Sequence, residues 1–298
     1  MRMTRWGRRL AIVAAVTPVV VVAAAWRPAQ RVAAHAIVDA PNAGRPPPSP
    51  EAGELRVESP TPGRAGAAPA SIAYEVTGPA DAHATVLVLH GIRDSREAMR
   101  GWGAVLAAAG LRAVLIDLRG QGRSTGDVLT YGVLDAADLS RVVDDLAARG
   151  VAPGKVGALG LSYGAATSIE WAGSDARVER VVAIAPFASL AEVVPGYTPV
   201  PLPDVFIAGA IALAGTMGGF DPARASPLLA IARTRAPVLL VHGTADTDIP
   251  PRHSQELHAA APDHSEVYLV DGATHDTIGA DPSGELRRRA VAWLAPLL

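Results

Sequence analysis

A chain of 298 residues is long enough to bury one large core, and its 49% apolar content fits a globular protein. A net charge of -2 with only 19% charged residues leaves no basic footprint for nucleic acid. The absence of cysteine excludes disulfides, thiol catalysis, cysteine-ligated zinc and a lipidated N-terminal cysteine.

Arg2, Arg5, Arg8 and Arg9 open the chain with no acid among them, and Leu10–Trp26 follows as 17 uncharged residues. A basic start before an apolar run is an export signal. Pro18 and the small-x-small sites Ala23/Ala25 and Ala34/Ala36 favour a cleaved signal peptide. The length also reaches the lower limit of a tilted membrane anchor. In both cases residues 1–36 are expected to place the rest of the chain outside the cytoplasm, with membrane contact through residues 10–26 where they are retained. Residues 37–70 are rich in Pro, Ala and Gly without helical or strand period, the composition of a linker. Within them, Leu55–Ser59 has the pattern of a first edge strand.

From residue 71 strand-like and helix-like runs alternate, which predicts an α/β domain over 71–298 with helices on both faces of a mostly parallel sheet. Ser71–Thr77 alternates like an edge strand. Thr85–Leu89 is a continuous apolar run, as expected of a parallel strand buried on both faces. A helix over Arg96–Ala109 and a buried strand over Arg112–Ile116 come next. Leu134–Arg149 has helical spacing, with Leu139, Val142, Val143 and Leu146 on one face.

Val156–Leu161 is a further buried strand, and the residues after Ser162 read as a helix. Between them lies Gly160-Leu-Ser162-Tyr-Gly164, a G-x-S-x-G pattern at a strand-to-helix turn. A serine at such a turn has its hydroxyl pushed out beyond the sheet and its backbone strained. Gly160 and Gly164 remove side chains that would clash there. Ser162 is therefore the candidate nucleophile.

Strands are then predicted at Val178–Ala185, Pro237–Val241 and Glu266–Val270, with helices near His253–Ala261 and Gly284–Leu297. Residues 187–235 are long enough for a small cap, with an apolar helix-like run at Val205–Met217. In a parallel sheet of this kind, site residues sit beyond the carboxyl ends of the strands. The strand end at Leu89 carries His90-Gly91-Ile92, where Gly91 admits close backbone approach. The amide of Ile92 is expected to face the site beside that of Tyr163, and two convergent N–H groups are what an oxyanion hole requires. The end at Val241 carries His242-Gly243-Thr-Ala-Asp246-Thr-Asp248, and the end at Val270 carries Asp271-Gly-Ala-Thr-His275. Serine, acid and histidine thus follow in the order Ser, Asp, His.

These motifs, together with Asp117-Leu-Arg119-Gly120-Gln-Gly122-Arg-Ser124 and Ala185-Pro186-Phe187, resemble the α/β-hydrolase superfamily on its serine-hydrolase branch. That branch holds esterases, lipases and monoacylglycerol-lipase or aminopeptidase-like enzymes. The similarity covers residues 71–298. It implies Ser162 as nucleophile, Asp246 as acid and His275 as base, with Ile92 and Tyr163 as oxyanion amides. It also implies hydrolysis of a small-molecule acyl substrate, an ester first, through an acyl-enzyme, without metal or organic cofactor. A peptidase or a cofactor-free perhydrolase would use the same triad, and a tethered binding module is the non-enzymatic alternative.

Other residues compete for roles. Asp248 lies two positions beyond Asp246, which the His-Gly-x-x-Asp spacing favours. Asp117 is expected to organise the Gly120–Gly122 turn, which misses dinucleotide-binding spacing by one residue. His90 and His242 are expected to shape their turns. His253, His258 and His264 are expected on a solvated helix face and its exit, and no His-x-x-x-His pair suggests zinc.

Overall fold

The computed structural model describes residues 26–59, 66–198 and 200–298. Residues 1–25, which carry most of the export segment, lie outside the described residues, and no helix among those described is long and apolar enough to cross a membrane.

One sheet of eight strands organises the chain: β1 (Glu54–Ser59), β2 (Ala70–Thr77), β3 (Ala84–Leu89), β4 (Arg112–Ile116), β5 (Lys155–Leu161), β6 (Val178–Ile184), β7 (Val238–Gly243) and β8 (Ser265–Val270). Their order in space is β1-β2-β4-β3-β5-β6-β7-β8. The pairings β1/β2 and β2/β4 are antiparallel, and every pairing from β4 to β8 is parallel. Strands β3, β4 and β7 are buried at every residue, which is why they read as unbroken apolar runs. β1 is the edge, so β2 lies inside the sheet rather than at the edge that its alternation suggested.

Two apolar layers cover the sheet. On one face Trp102 and Leu106 of α2 (Arg100–Ala108) pack with Leu286, Ala290 and Leu294 of α9 (Glu285–Leu294). On the other face lie Leu139, Val142 and Leu146 of α3 (Asp135–Ala148), Ile169 and Trp171 of α4 (Tyr163–Ala172) and Leu257 of α8 (Arg252–Ala260). Between β6 and β7, where a small cap was expected, lie α5 (Leu190–Val193), α6 (Asp204–Gly218) and α7 (Pro227–Ile231).

The stretch read as export segment and linker differs most from expectation. Residues 26–38 form a helix, α1, that packs on the domain through Ala34, Ile37 and Val38. Residues after it run along the domain instead of standing free. Asp39 bridges to Val128, and Asn42 Nδ2 donates to the carbonyls of Gly122 and Ser124 at 2.8 and 2.9 Å. Gly120, at φ +68°, admits this segment, since a Cβ there would come within 2.4 Å of the Ala40 methyl. Residues 54–59 then add β1 to the sheet. The apolar positions 33, 34, 37 and 38 are at helical spacing, but the prolines downstream dominated the composition.

A buried ionic knot fixes β1 to the rest. Arg96, whose side chain is 2% exposed, pairs with Asp117 (2.8 Å) and Glu54 (2.9 Å). Asp117 also accepts from the backbone amides of Arg96 and Arg123. Asp117 therefore holds two turns, that of Gly120–Gly122 as expected and that after β3. Removing one member leaves buried carboxylates facing each other. Arg96→Leu is expected to cost about 3–5 kcal/mol in urea unfolding, and a loss under about 1 kcal/mol would show that the knot is dispensable.

Candidate active site

Strand β5 ends in the turn that sets the site. Ser162 has φ +54° and ψ -114°, a conformation that is strained for any residue with a Cβ, and α4 begins at the next residue. The turn is tight because two glycines let backbone approach backbone. A Cβ on Gly160 would sit 2.2 Å from the Gly164 carbonyl oxygen. One on Gly164 would sit 2.5 Å from that of Leu89 and 2.6 Å from that of His90. The Ser162 amide donates to the Ile184 carbonyl at 2.8 Å, tying the turn to β6.

The loops after β7 and β8 bring the expected partners to Ser162. His275 Nε2 lies 2.9 Å from Ser162 Oγ, and His275 Nδ1 lies 2.8 Å from Asp246 Oδ2. Asp246 Oδ1 accepts from the amides of Ile249 (2.9 Å) and Asp248 (3.1 Å). Asp248 itself contributes its backbone to this loop and makes no hydrogen bond to His275. Burial of Asp246 pushes its pKa upward, but the nearby His242 ring (3.5 Å) and hydrogen bonds from His275 and the Ile249 amide outweigh this and hold it well below the usual carboxylate range. For His275, burial pushes the imidazole down, and the hydrogen bond and charge of Asp246 more than reverse it, so its pKa is raised above 6.5. The arrangement allows the imidazole to take the serine proton while the carboxylate holds the ring and stabilises the resulting cation.

The other side of Ser162 faces Gly91, where a Cβ would lie 3.8 Å from that of Ser162. Ile92 and Tyr163 both border the same cavity as Ser162. Among the described residues neither amide N–H has a hydrogen-bond acceptor. The Tyr163 phenol is clamped: its oxygen accepts from the amides of Tyr131 (2.8 Å) and Thr130 (3.2 Å) and donates to Asp135 Oδ2 (3.2 Å). Asp135 and Tyr131 escaped the sequence reading. Their only trace is a Thr-Tyr-Gly-Val-Leu-Asp loop ahead of α3, with Tyr131 at φ +53°.

His90 and His242 shape their turns, as expected. The Leu118 amide donates to His90 Nε2 at 3.0 Å, and His90 Nδ1 donates to the Gly91 carbonyl at 2.7 Å. Complete burial lowers the pKa of His90, consistent with a neutral ring. His242 donates from Nε2 to the Ile249 carbonyl at 2.6 Å and accepts at Nδ1 from the Ser254 hydroxyl at 2.7 Å, fixing the Asp246 loop. His253 departs from expectation. It is buried rather than solvated, accepts from the Ala188 amide at 3.3 Å, and burial pushes its pKa down to about 4. His258 and His264 are tied to Ser265 Oγ (2.8 Å) and the Ile231 carbonyl (3.0 Å). Among the described residues one group, Glu192, His253 and Glu256, has metal-ligand atoms within 4.8 Å of one another. The His253 Nδ1 lone pair is already engaged by Ala188.

A cavity of about 560 Å³ opens onto Ser162. Tyr131 and Phe187, at 6.2 Å between ring centroids, wall it beside Tyr163. The cap supplies Val193, Tyr197 and Leu202, and α6 supplies Phe206, Ile207 and Ala210. Helix α1 closes the remaining side with Ala33, Ala36 and Ile37. Among the described residues Arg93 is the one charged side chain in the lining, and its guanidinium donates to the Ala36 carbonyl at 2.9 Å.

A parallel sheet with the serine at a strained strand-to-helix turn, histidine and aspartate following on later strands, defines a serine hydrolase of the α/β-hydrolase superfamily. Within it, the chain belongs to the X-Pro dipeptidyl-peptidase (S15) family, which matches residues 13–203. It is 25% identical over 223 residues to the uncharacterized protein YqkD of Bacillus subtilis, spanning 70% of this chain and 71% of that protein. It is 28% identical over 220 residues to the uncharacterized YfhR of Escherichia coli, spanning 71% of this chain and 70% of that one. Among solved structures, the esterase Pf2001 of Pyrococcus furiosus superposes with a TM-score of 0.62 at 22% identity, over 82% of this chain and 92% of its own. The monoacylglycerol lipase of Paleococcus ferrophilus superposes with a TM-score of 0.57 at 22% identity, over 76% of this chain and 99% of its own. These structural likenesses concern the fold.

The strain at Ser162 yields a stability test. Ser162→Gly removes the Cβ from a conformation that glycine adopts freely, and is expected to stabilise the fold by roughly 1 kcal/mol. A rise in Tm by calorimetry checks it, and an unchanged or lower Tm would show that the turn is not strained.

Proposed function

We propose that the protein is a carboxylic-ester hydrolase for substrates with an apolar acyl chain, acting through an acyl-enzyme on Ser162. The observation that carries this reading is the cavity beside Ser162, apolar on nearly every side and, among the described residues, without a carboxylate in its lining. In this mechanism Ser162 Oγ attacks the ester carbonyl as His275 Nε2 takes its proton. The developing oxyanion receives the free amides of Ile92 and Tyr163, at the start of α4 where the helix end favours negative charge. His275 then hands its proton to the departing alkoxide, and water repeats the sequence to release the acid. Asp246 holds the imidazole throughout.

The family description raises a second reading, release of dipeptides from a peptide N-terminus. Such a substrate carries an ammonium group two residues from the scissile bond, and that charge needs a carboxylate nearby. The lining offers Arg93 instead, which repels it. The ester reading therefore stands first.

A panel of p-nitrophenyl esters from two to sixteen carbons, beside Ala-Pro-p-nitroanilide, tests the choice. Medium acyl chains are expected to give the highest kcat/KM. Turnover of the anilide above every ester would reverse the order of the two readings.

Ser162→Ala and His275→Ala are each expected to lower kcat by roughly 10⁴-fold or more, because the three groups act as a unit. Asp246→Asn should cost less, and Asp248→Asn far less. A larger loss from Asp248→Asn than from Asp246→Asn would overturn the assignment of the acid.

The base must be neutral to accept a proton, so activity is lost as pH falls through the pKa of His275. Since that pKa is raised, the acid limb of the kcat/KM profile is expected to have its midpoint above 6.5. Asp246→Asn removes the main cause of the rise and should move the midpoint down; an unmoved midpoint would show that His275 is not the titrating base.

A further inference from the structure

Helix α6 is apolar all round but covered on one side only. Of its fifteen residues, Asp204–Gly218, only Asp204 is charged. Phe206, Ile207, Ala210 and Ala214 are buried, whereas Val205, Ala208, Ala212 and Thr216 are exposed. A helix without a polar face is ordinarily covered on every side.

The bare face continues beyond α6. A groove of about 770 Å³ runs between α1 and α6, with Val32 on one wall and Ala212 and Leu213 on the other. Val32 on α1 and Val205 on α6 are 70% and 69% exposed. Scattered single apolar residues need no explanation, but a contiguous patch beside an apolar cavity does.

Two observations identify what covers it. The uncharged run Leu10–Ala25 ends where α1 begins, and Trp26 packs edge-on against Phe206 of α6 at 5.1 Å. The described chain therefore begins, directly after that run, against α6. Arg27 and Arg31 border the groove, exposed and without an ion pair among the described residues. They are cations at the rim of an apolar surface, the pattern that meets anionic headgroups.

We propose that the outer face of α6, with the α1 groove, docks on an anionic lipid bilayer. At about 1.5 Å per residue α6 is too short to span a hydrocarbon core of roughly 30 Å, so it lies in the plane of the interface. Its inner face lines the cavity at Ser162, and α1 closes that cavity from the other side. For an acyl substrate this brings the cavity to the surface that holds the substrate, although the seam between α1 and α6 is itself closed by Gln30, whose Nε2 donates to the Phe206 carbonyl at 3.1 Å. That consequence rests on the ester reading, whereas the docking does not.

The chain has no native cysteine, so single labelling sites are clean. The test uses the full chain carrying Ser162→Ala, with Val205→Cys, Ala212→Cys or, on the far side, Glu179→Cys, each bearing an environment-sensitive fluorophore. Vesicles of phosphatidylcholine and phosphatidylglycerol, with and without a spin-labelled acyl chain, are added. Blue-shifted emission quenched several-fold by the spin label at 205 and 212, but not at 179, is expected. It should weaken with phosphatidylcholine alone. No quenching, or equal quenching at 179, would overturn the proposal. Emission already blue-shifted without lipid and indifferent to it would also overturn it, because the chain's own N-terminal run or a second copy would then cover the face. Since Ser162→Ala removes the proposed hydrolysis, failure of docking and failure of the ester reading are told apart.

Discussion

The site depends on one strained residue. Holding Ser162 at φ +54° costs about 1–3 kcal/mol, which the packing of the parallel strands around it must offset. Two backbone approaches make the turn possible, Gly160 against Gly164 and Gly164 against the end of β3. Because α4 starts at the following residue, the Tyr163 amide is left without an intrahelical acceptor and next to the serine. The same constraint therefore exposes the hydroxyl and frees a donor beside it. A relaxed turn would do neither.

Around this turn the structure spends buried polar groups on position. His242 fixes the loop that carries Asp246, and His90 fixes the loop that carries Ile92. Asp135 and the amides of residues 130 and 131 clamp the phenol of Tyr163, so that residue is held at both ends, by its ring and by the helix it starts. Each of these groups is buried and hydrogen-bonded, although only one oxygen of Asp135, Oδ2, has partners among the described residues, and a group left wholly unpaired would cost far more than the pair contributes. Geometry at the serine is accordingly set by interactions that never touch it.

Much of this was legible in the residues because strands and their ends carry strong local signals. Unbroken apolar runs marked β3, β4 and β7, and glycines at the strand ends marked the loops bearing Ile92, Ser162 and Asp246. His275 was legible only by its place after β8. Asp135, Tyr131 and the burial of His253 were not legible, since each depends on partners far away in sequence: Tyr163, Ile37 and Ala188. Helix α1 was missed for another reason. Its apolar stripe is four residues long and stands between an uncharged run and a proline-rich one, so composition over a wide window conceals it.

The division between legible and hidden parts coincides with a division of labour. Motifs specify bond cleavage in general, and they sit on the strand ends that any hydrolase of this fold must keep. The cavity is made from α1, the cap and α6, which carry no motif, so the choice of substrate is written in parts with no local signature. Those same helices have a second face. Lining the cavity requires Phe206, Ile207 and Ala33 to be apolar, but it places no demand on Val32, Val205 or Ala212, which point away from it. Polar residues at these outer positions would leave the cavity intact and make α6 an ordinary amphipathic helix. The outer face is therefore a constraint separate from the inner one, and it is shared by the two helices that wall the cavity at Ser162.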